Sequence, residues 1–271
     1  MNAQPTPSFW EKWSAPIGLC LTLFMVSYTI GVVPPIMPPM VREFDSSVGY
    51  VQSALVLMSL VTASFAPTAE NLGRRLGRRP IFAAALGLYA LGLVVVILSP
   101  DMGIFALGFS ALIGLAAATL VSTPLALIDH LYDDVAEQYG MLALSVSGIV
   151  GALLGSILGG LMAFELSWRW AFALELIFIP VIWLLVRRTE IPEPGYTSPI
   201  DWVGGLLSLG GFGLTLMGIS LAGEYGWWAP KKQPWLFDNL LTQFGISIVP
   251  VLMSAGVICL ALLMFWQRQR G

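Results

Sequence analysis

Charge is what this sequence has least of. Lys, Arg, Asp and Glu together make up 11% of its 271 residues, about half the share that a soluble domain carries to cover its surface. Histidine occurs once and cysteine twice. One histidine is a thin basis for a metal centre, and none is expected. Cys20 and Cys259 both fall inside apolar runs, where they read as packing residues rather than a disulfide. No glycine-rich nucleotide loop is present, so ATP drive and enzymatic chemistry lack support and no cofactor is expected. Basic and aromatic residues sit at the edges of apolar runs, which gives no case for a nucleic-acid partner. A cleavable signal peptide is also missing; the first apolar run follows Lys12, is long enough to span, and reads as a retained signal-anchor.

What is there in quantity is apolar surface. Hydrophobic residues make up 57% of the chain and mean hydropathy is +0.81. The charges are clustered, and the runs between clusters are long, as a bilayer solvent demands. A span needs roughly 20 mostly apolar residues. Runs near 15–39, 48–69, 80–99, 104–128, 140–163, 170–187, 202–222 and 244–266 predict an all-α membrane protein of about eight transmembrane helices. Its first partner is the lipid bilayer. With a cytoplasmic N-terminus, Lys12, Arg74, Arg75, Arg78, Arg79, Arg187, Arg188, Arg268 and Arg270 lie inside. Arg42, Arg169, Lys231 and Lys232 lie outside, a bias of nine to four among 13 basic residues. Both termini are then cytoplasmic, and the compartment expected is the plasma (inner) membrane.

The loop after the fourth run (Asp129, His130, Asp133, Asp134, Glu137) is acidic. His130 beside two aspartates can be drawn as a metal site, but a solvated loop is the better reading. Thr189 to Pro199 is polar and holds Pro192, Pro194 and Pro199. It divides the chain into a cytoplasmic N-terminus (1–14), a six-helix transmembrane bundle (15–188), a cytoplasmic linker (189–201) and two further helices (202–271). The stretch from Glu224 to Gln243 carries Trp227, Trp228, Trp235, Lys231 and Lys232 and reads as an interfacial belt.

Four motifs in order carry a resemblance. Glu70-Asn-Leu-Gly-Arg-Arg-Leu-Gly-Arg-Arg-Pro80 resembles the cytoplasmic signature G-x-L-x-D-R-x-G-R-R of the major facilitator superfamily, with Leu72, Arg75, Gly77, Arg78 and Arg79 matching. A tight glycine turn there presents arginines to carboxylates and helix C-termini. Plain positive-inside charge would explain the arginines but not their spacing with Leu72 and Gly77. In the fifth run, Gly151, Gly155, Gly159 and Gly160 are similar to the G-x3-G-P-x2-G-G motif of the superfamily's antiporters. Ser167-Trp-Arg-Trp-Ala-Phe172 with Pro180 resembles the W-R-W-x-F…P entry to the sixth helix. Ile200-Asp-Trp-Val-Gly204 with Gly223-Glu-Tyr-Gly-Trp227 resembles the seventh helix of the fourteen-helix drug:proton antiporter branch.

The resemblance implies two six-helix halves built from inverted three-helix repeats, with substrate bound between them. This chain matches the N-terminal half plus the two linker helices. The implied partners are a small-molecule substrate and a second transporter half, from a homodimer or a companion chain. In the family the fifth-helix glycine stripe packs against the opposite half; packing inside the bundle is the competing reading. The first and fourth helices line the substrate cavity in the family. Here the first carries Pro34, Pro35, Pro38 and Pro39, and the fourth Pro124. Such prolines open backbone toward a cavity or simply end a helix. Ser27 and Thr29 on the first run, and Thr119, Ser122 and Thr123 on one face of the fourth, are candidate cavity hydroxyls. They also suit bonds to their own backbone and helix contacts.

Departures from the family bear on coupling. Its first helix usually carries aspartate where this chain has Ser27, and its fourth R-x-x-Q-G where Ser110, Ile113 and Gly114 stand. Glu70 replaces a glycine, Arg74 an aspartate and Ser156 a proline. Proton coupling needs a group that changes charge inside the membrane. Glu175, two turns into the sixth run, is the acid that remains; it reads as proton- or cation-responsive, or as a neutral acid bonded between helices. Two functions follow: export of a small organic or drug-like compound by alternating access, as half of a secondary transporter, or a non-transporting scaffold or regulatory subunit. A channel is a weaker option, since no charged ring or filter-like segment is visible.

Overall fold

In a bilayer every backbone polar group must find its partner within the protein, and a helix meets that need within one segment. The computed structural model describes residues 9–131, 134–187, 202–229 and 247–270, and these are helical almost throughout. The elements are α1 (Phe9–Glu43), α2 (Val48–Leu76), α3 (Arg78–Ile97), α4 (Met102–Ala106), a π-helical segment (Leu107–Ile113), α5 (Gly114–Leu131), α6 (Asp134–Glu165), α7 (Trp168–Val186), α8 (Trp202–Tyr225) and α9 (Ile248–Arg270). The chain folds as an all-α membrane protein. Seven stretches are long and apolar enough to cross a membrane, with Met102–Ile128 running unbroken from α4 through the π-helical segment into α5. In α8 the apolar part is the shorter Val203–Ile219. The linker 189–201, the end of the tryptophan-rich stretch with Trp235, Lys231 and Lys232, and the side chains of Asp129, His130 and Asp133 lie outside the described residues.

Proline does not end α1, nor does it unwind it. The helix passes through Pro34, Pro35, Pro38 and Pro39 and stops at Glu43. Each proline lacks an N–H and so frees the carbonyl four residues earlier. For Pro35 that carbonyl belongs to Gly31, and Ser156 on α6 fills the gap: its Oγ donates to Gly31 O at 3.0 Å. The serine that stands where the family motif has proline thus satisfies the carbonyl that Pro35 leaves free. Replacing Ser156 with Ala should cost about 1–3 kcal/mol, the penalty of an orphaned buried acceptor. Thermal unfolding of Ser156→Ala in wild-type and Pro35→Ala backgrounds checks this. Restoring the N–H at position 35 should erase most of the cost.

Between α1 and α6 lies a glycine seam. A Cβ at Gly151 would strike the backbone of Phe24, one at Gly155 the backbone of Tyr28, and one at Gly31 the backbone of Ala152. At Gly159 it would lie 3.2 Å from Val32 Cα. Gly160 differs, meeting only Pro35 Cβ at 3.5 Å. The stripe that the family resemblance assigns to the opposite half faces α1 instead. It packs inside the bundle, because α1 is close enough to fill it with backbone.

α8 and α9 pack on each other, and α8 lies against α2. A second seam of small residues joins the pair: Gly256 faces Thr215 and Gly211, and Gly218 faces Val249 and Met253. The bundle core is aromatic near the C-terminal end of α1. Trp168, Phe172, Phe105 and Phe109 are buried there, and their rings meet mostly edge to face.

Candidate functional site

At 1.5 Å per residue, Glu175 lies about 10 Å along α7 from Trp168, at membrane depth. It is fully buried. Thr29 on α1 donates through Oγ1 to Glu175 Oε2 at 2.5 Å. Tyr89 on α3 donates to the same oxygen at 3.1 Å. The Thr29 and Tyr89 hydroxyls also contact each other, and Thr29 reaches Met25 O, one turn back, at 3.2 Å. Glu175 Oε1 has no partner among the described residues. Tyr28 is bound nearby, its hydroxyl donating to Ala171 O at 3.3 Å. An acid, two hydroxyls and three helices therefore meet at one buried point.

The other candidate hydroxyls do not join it. Ser27 is half-buried and lies 3.3 Å from where a Cβ on Gly148 would stand. Thr119 and Thr123 are buried within the bundle, and Ser122 Oγ returns to Ala118 O and Thr119 O of its own helix. Where the family has arginine, Ser110 in the π-helical segment donates to Ala54 O at 2.8 Å. Gly114 seats against Met58 of α2, and its carbonyl accepts from Thr62 Oγ1 at 2.9 Å. These contacts hold α2 to the fourth span.

Two arginines clamp the bundle at its opposite ends. Gly77 turns α2 into α3 with φ 92°, a conformation that favours glycine. The turn sends Arg78 inward, 5% exposed, where Nη2 bonds Glu70 Oε1 at 2.7 Å and Nη1 reaches Ala126 O on α5 at 3.4 Å. Glu70, a departure from the family signature, is thus the counter-charge that the signature's buried arginine uses. Arg74 also approaches it at 3.6 Å. Leu72 is half-buried, while Arg75 and Arg79 are exposed.

At the other end Arg169 bonds Glu43 at 2.5 Å and donates to Ile97 O and Ser99 O, both at 2.9 Å. Its guanidinium lies 4.4 Å from the centre of the Trp168 ring, whose Nε1 donates to Glu43 at 2.6 Å. A positive group at the C-terminal carbonyls of α3 is favourable for the helix dipole. An open groove of about 530 Å³ beside this clamp is lined by Ile97, Leu98, Ser167, Arg169, Trp170 and Ala173.

Sequence reasoning missed Tyr89, which shows no motif. A signal was available: a carboxyl buried in a membrane requires polar partners, and Tyr89 is a polar residue in the middle of the third apolar run.

The model of the Major Facilitator Superfamily matches residues 19–269. The drug efflux pump JefA of Mycobacterium tuberculosis is 30% identical over 191 residues, covering 69% of this chain and 37% of that protein. MdtD of Escherichia coli, a protein named for multidrug resistance, is 29% identical over 260 residues, covering 94% of this chain and 52% of its own. Among solved structures, the human organic anion transporter MFSD10 aligns with a TM-score of 0.58 at 17% identity, over 80% of this chain and 57% of that one. An auto-inhibited peptide transporter of the POT family gives 0.53 at 16% identity, over 94% and 53%. The chain spans about half the length of the curated relatives it matches, or less. A family match over nearly the whole chain, on a fold shared with solved transporters, shows that it is an integral membrane protein belonging to the Major Facilitator Superfamily.

Proposed function

We propose that this chain is one half of a secondary transporter that exports small organic, drug-like compounds, with Glu175 as its proton-responsive group. The second half comes from another copy or a companion chain, and the assembly works by alternating access in the plasma (inner) membrane with both termini cytoplasmic. The efflux names of JefA and MdtD support the substrate class. The observation that carries the mechanism is Glu175: of the described acids it alone is fully buried, and it is bound by hydroxyls from two other helices. Burying an ionisable group at this depth costs on the order of 2.5–3.5 kcal/mol, so its retention there calls for a use. The arginine clamps at the two ends lie inside this one bundle and would hold it as a rigid body while it rocks against the second. The usual charged positions, here Ser27 and Ser110, are given over to packing.

Ethidium accumulation in inverted membrane vesicles tests this. Uptake driven by an imposed pH gradient should fall at least tenfold in Glu175→Gln while the amount of folded protein is unchanged. Equal gradient-driven uptake in both proteins would remove Glu175 from coupling. The scaffold reading is favoured by one observation: Ser110, at the place of the family's arginine, is buried and bonded to Ala54 O. It predicts no gradient-driven uptake in either protein.

A further inference from the structure

Three oxygens meet in the site: Thr29 Oγ1, Tyr89 OH and Glu175 Oε2, each within hydrogen-bonding reach of the other two. Three mutual hydrogen bonds need three hydrogens. The two hydroxyls supply one each. Thr29 Oγ1 also lies 3.2 Å from Met25 O, a longer contact that shares the threonine hydrogen and adds none to the ring. A carboxylate brings no hydrogen and leaves the ring short.

We propose that Thr29, Tyr89 and Glu175 form a closed ring in which the carboxyl hydrogen of Glu175 is the third, so that Thr29 and Tyr89 are positioning residues that report its protonation to α1 and α3. The Tyr89 hydroxyl donates to Oε2 when the acid is charged, and in the closed ring that bond is reversed: Glu175 Oε2–H donates to Tyr89, Tyr89 donates to Thr29, and Thr29 donates back to Oε2. The second carboxyl oxygen agrees with this assignment independently. Oε1 is buried and lacks a partner among the described residues, which a neutral carbonyl oxygen tolerates far better than half of a carboxylate.

Release of the proton to water leaves a carboxylate, which accepts from both hydroxyls. The contact between Thr29 and Tyr89 then holds no hydrogen, and two oxygen lone pairs face each other. α3 and α1 must part there, or water must enter. The titratable groups that face Glu175 are Tyr89 on α3 and Tyr28 on α1. The described part of α6 and the π-helical segment bring none to it, and no described cation reaches it. The ring thus converts a change of one proton into a change in helix contact.

The inference deepens the role given to Glu175 under the transport reading, but its test does not use transport. Infrared difference spectra of the purified 271-residue protein, wild type minus Glu175→Gln at neutral pH, should show a carboxylic C=O band that a carboxylate cannot give. The band should shift in Tyr89→Phe and in Thr29→Ala, each of which removes one ring member. If either variant fails to fold, the other carries the same test, since a closed ring requires both the band and its shift. A spectrum with only carboxylate bands, or a band unmoved in both folded variants, would overturn the ring. Loss of transport with the band intact would instead count against the transport reading alone.

Discussion

Gly155→Val should abolish folding of the bundle or lower its thermal midpoint by far more than any surface substitution. A Cβ at Gly155 would sit inside the backbone of Tyr28, and one at Gly151 inside that of Phe24. Overpacking a core typically costs about 1–3 kcal/mol, and more where the obstacle is backbone that cannot change rotamer. Both partners here are continuous helices of 35 and 32 residues, so the seam cannot shift at one point alone. Two controls make the prediction specific. A Cβ at Gly87 on α3 meets nothing within 4 Å, and Gly160 meets only Pro35 Cβ at an ordinary distance. Gly87→Val and Gly160→Ala should therefore leave the midpoint nearly unchanged. Tryptophan fluorescence during heating in mild detergent measures all four proteins. Similar midpoints for Gly155→Val and Gly87→Val would mean that α1 and α6 do not meet along this stripe.

Glu70→Ala should cost about 3–5 kcal/mol, the penalty for removing one partner of a buried ion pair. Arg78 is the more buried member, 5% exposed against 19% for Glu70, so the stranded charge would be the guanidinium. Its remaining contact is Ala126 O at 3.4 Å, a weak hydrogen bond. Removing both members should hurt less than removing Glu70 alone, because the double variant Glu70→Ala, Arg78→Met leaves no buried guanidinium without its carboxylate; Arg74, which also approaches Glu70, is more exposed. Chemical unfolding of the two variants checks the order. If the double variant proved the less stable, Arg78 would be held by something other than Glu70.

What was legible in the sequence followed from chain length and solvent. The long apolar runs gave the helices, since a bilayer leaves few other ways to satisfy backbone. The loop signature gave the glycine turn at Gly77 and arginines able to pair with carboxylates, but not which arginine turns inward. Glu175 was visible because a carboxyl in an apolar run is costly. Tertiary choices were not legible. Ser156 looked like a lapse from a motif until Gly31 O was seen to be left free by Pro35, 121 positions earlier in the chain. Glu70 looked like another until Arg78 was found against it. The prolines of α1 suggested an opening or an end, and the helix instead continues because a neighbouring helix repairs at least one freed carbonyl. The partner of the glycine stripe depends on which helix comes close, and no run of residues states that. Tyr89 lay unmarked because a lone tyrosine in an apolar stretch is usually packing.

Whether this bundle works as half of a two-bundle transporter can be decided by mass. The protein should be isolated from its native membrane in mild detergent with an antibody to its first residues, and weighed intact. The expected species is an assembly holding two bundles: two copies of the 29.3 kDa chain, one copy with a second membrane subunit, or one polypeptide of about twice this length. A strictly monomeric species of 29.3 kDa would contradict it and leave the scaffold reading standing.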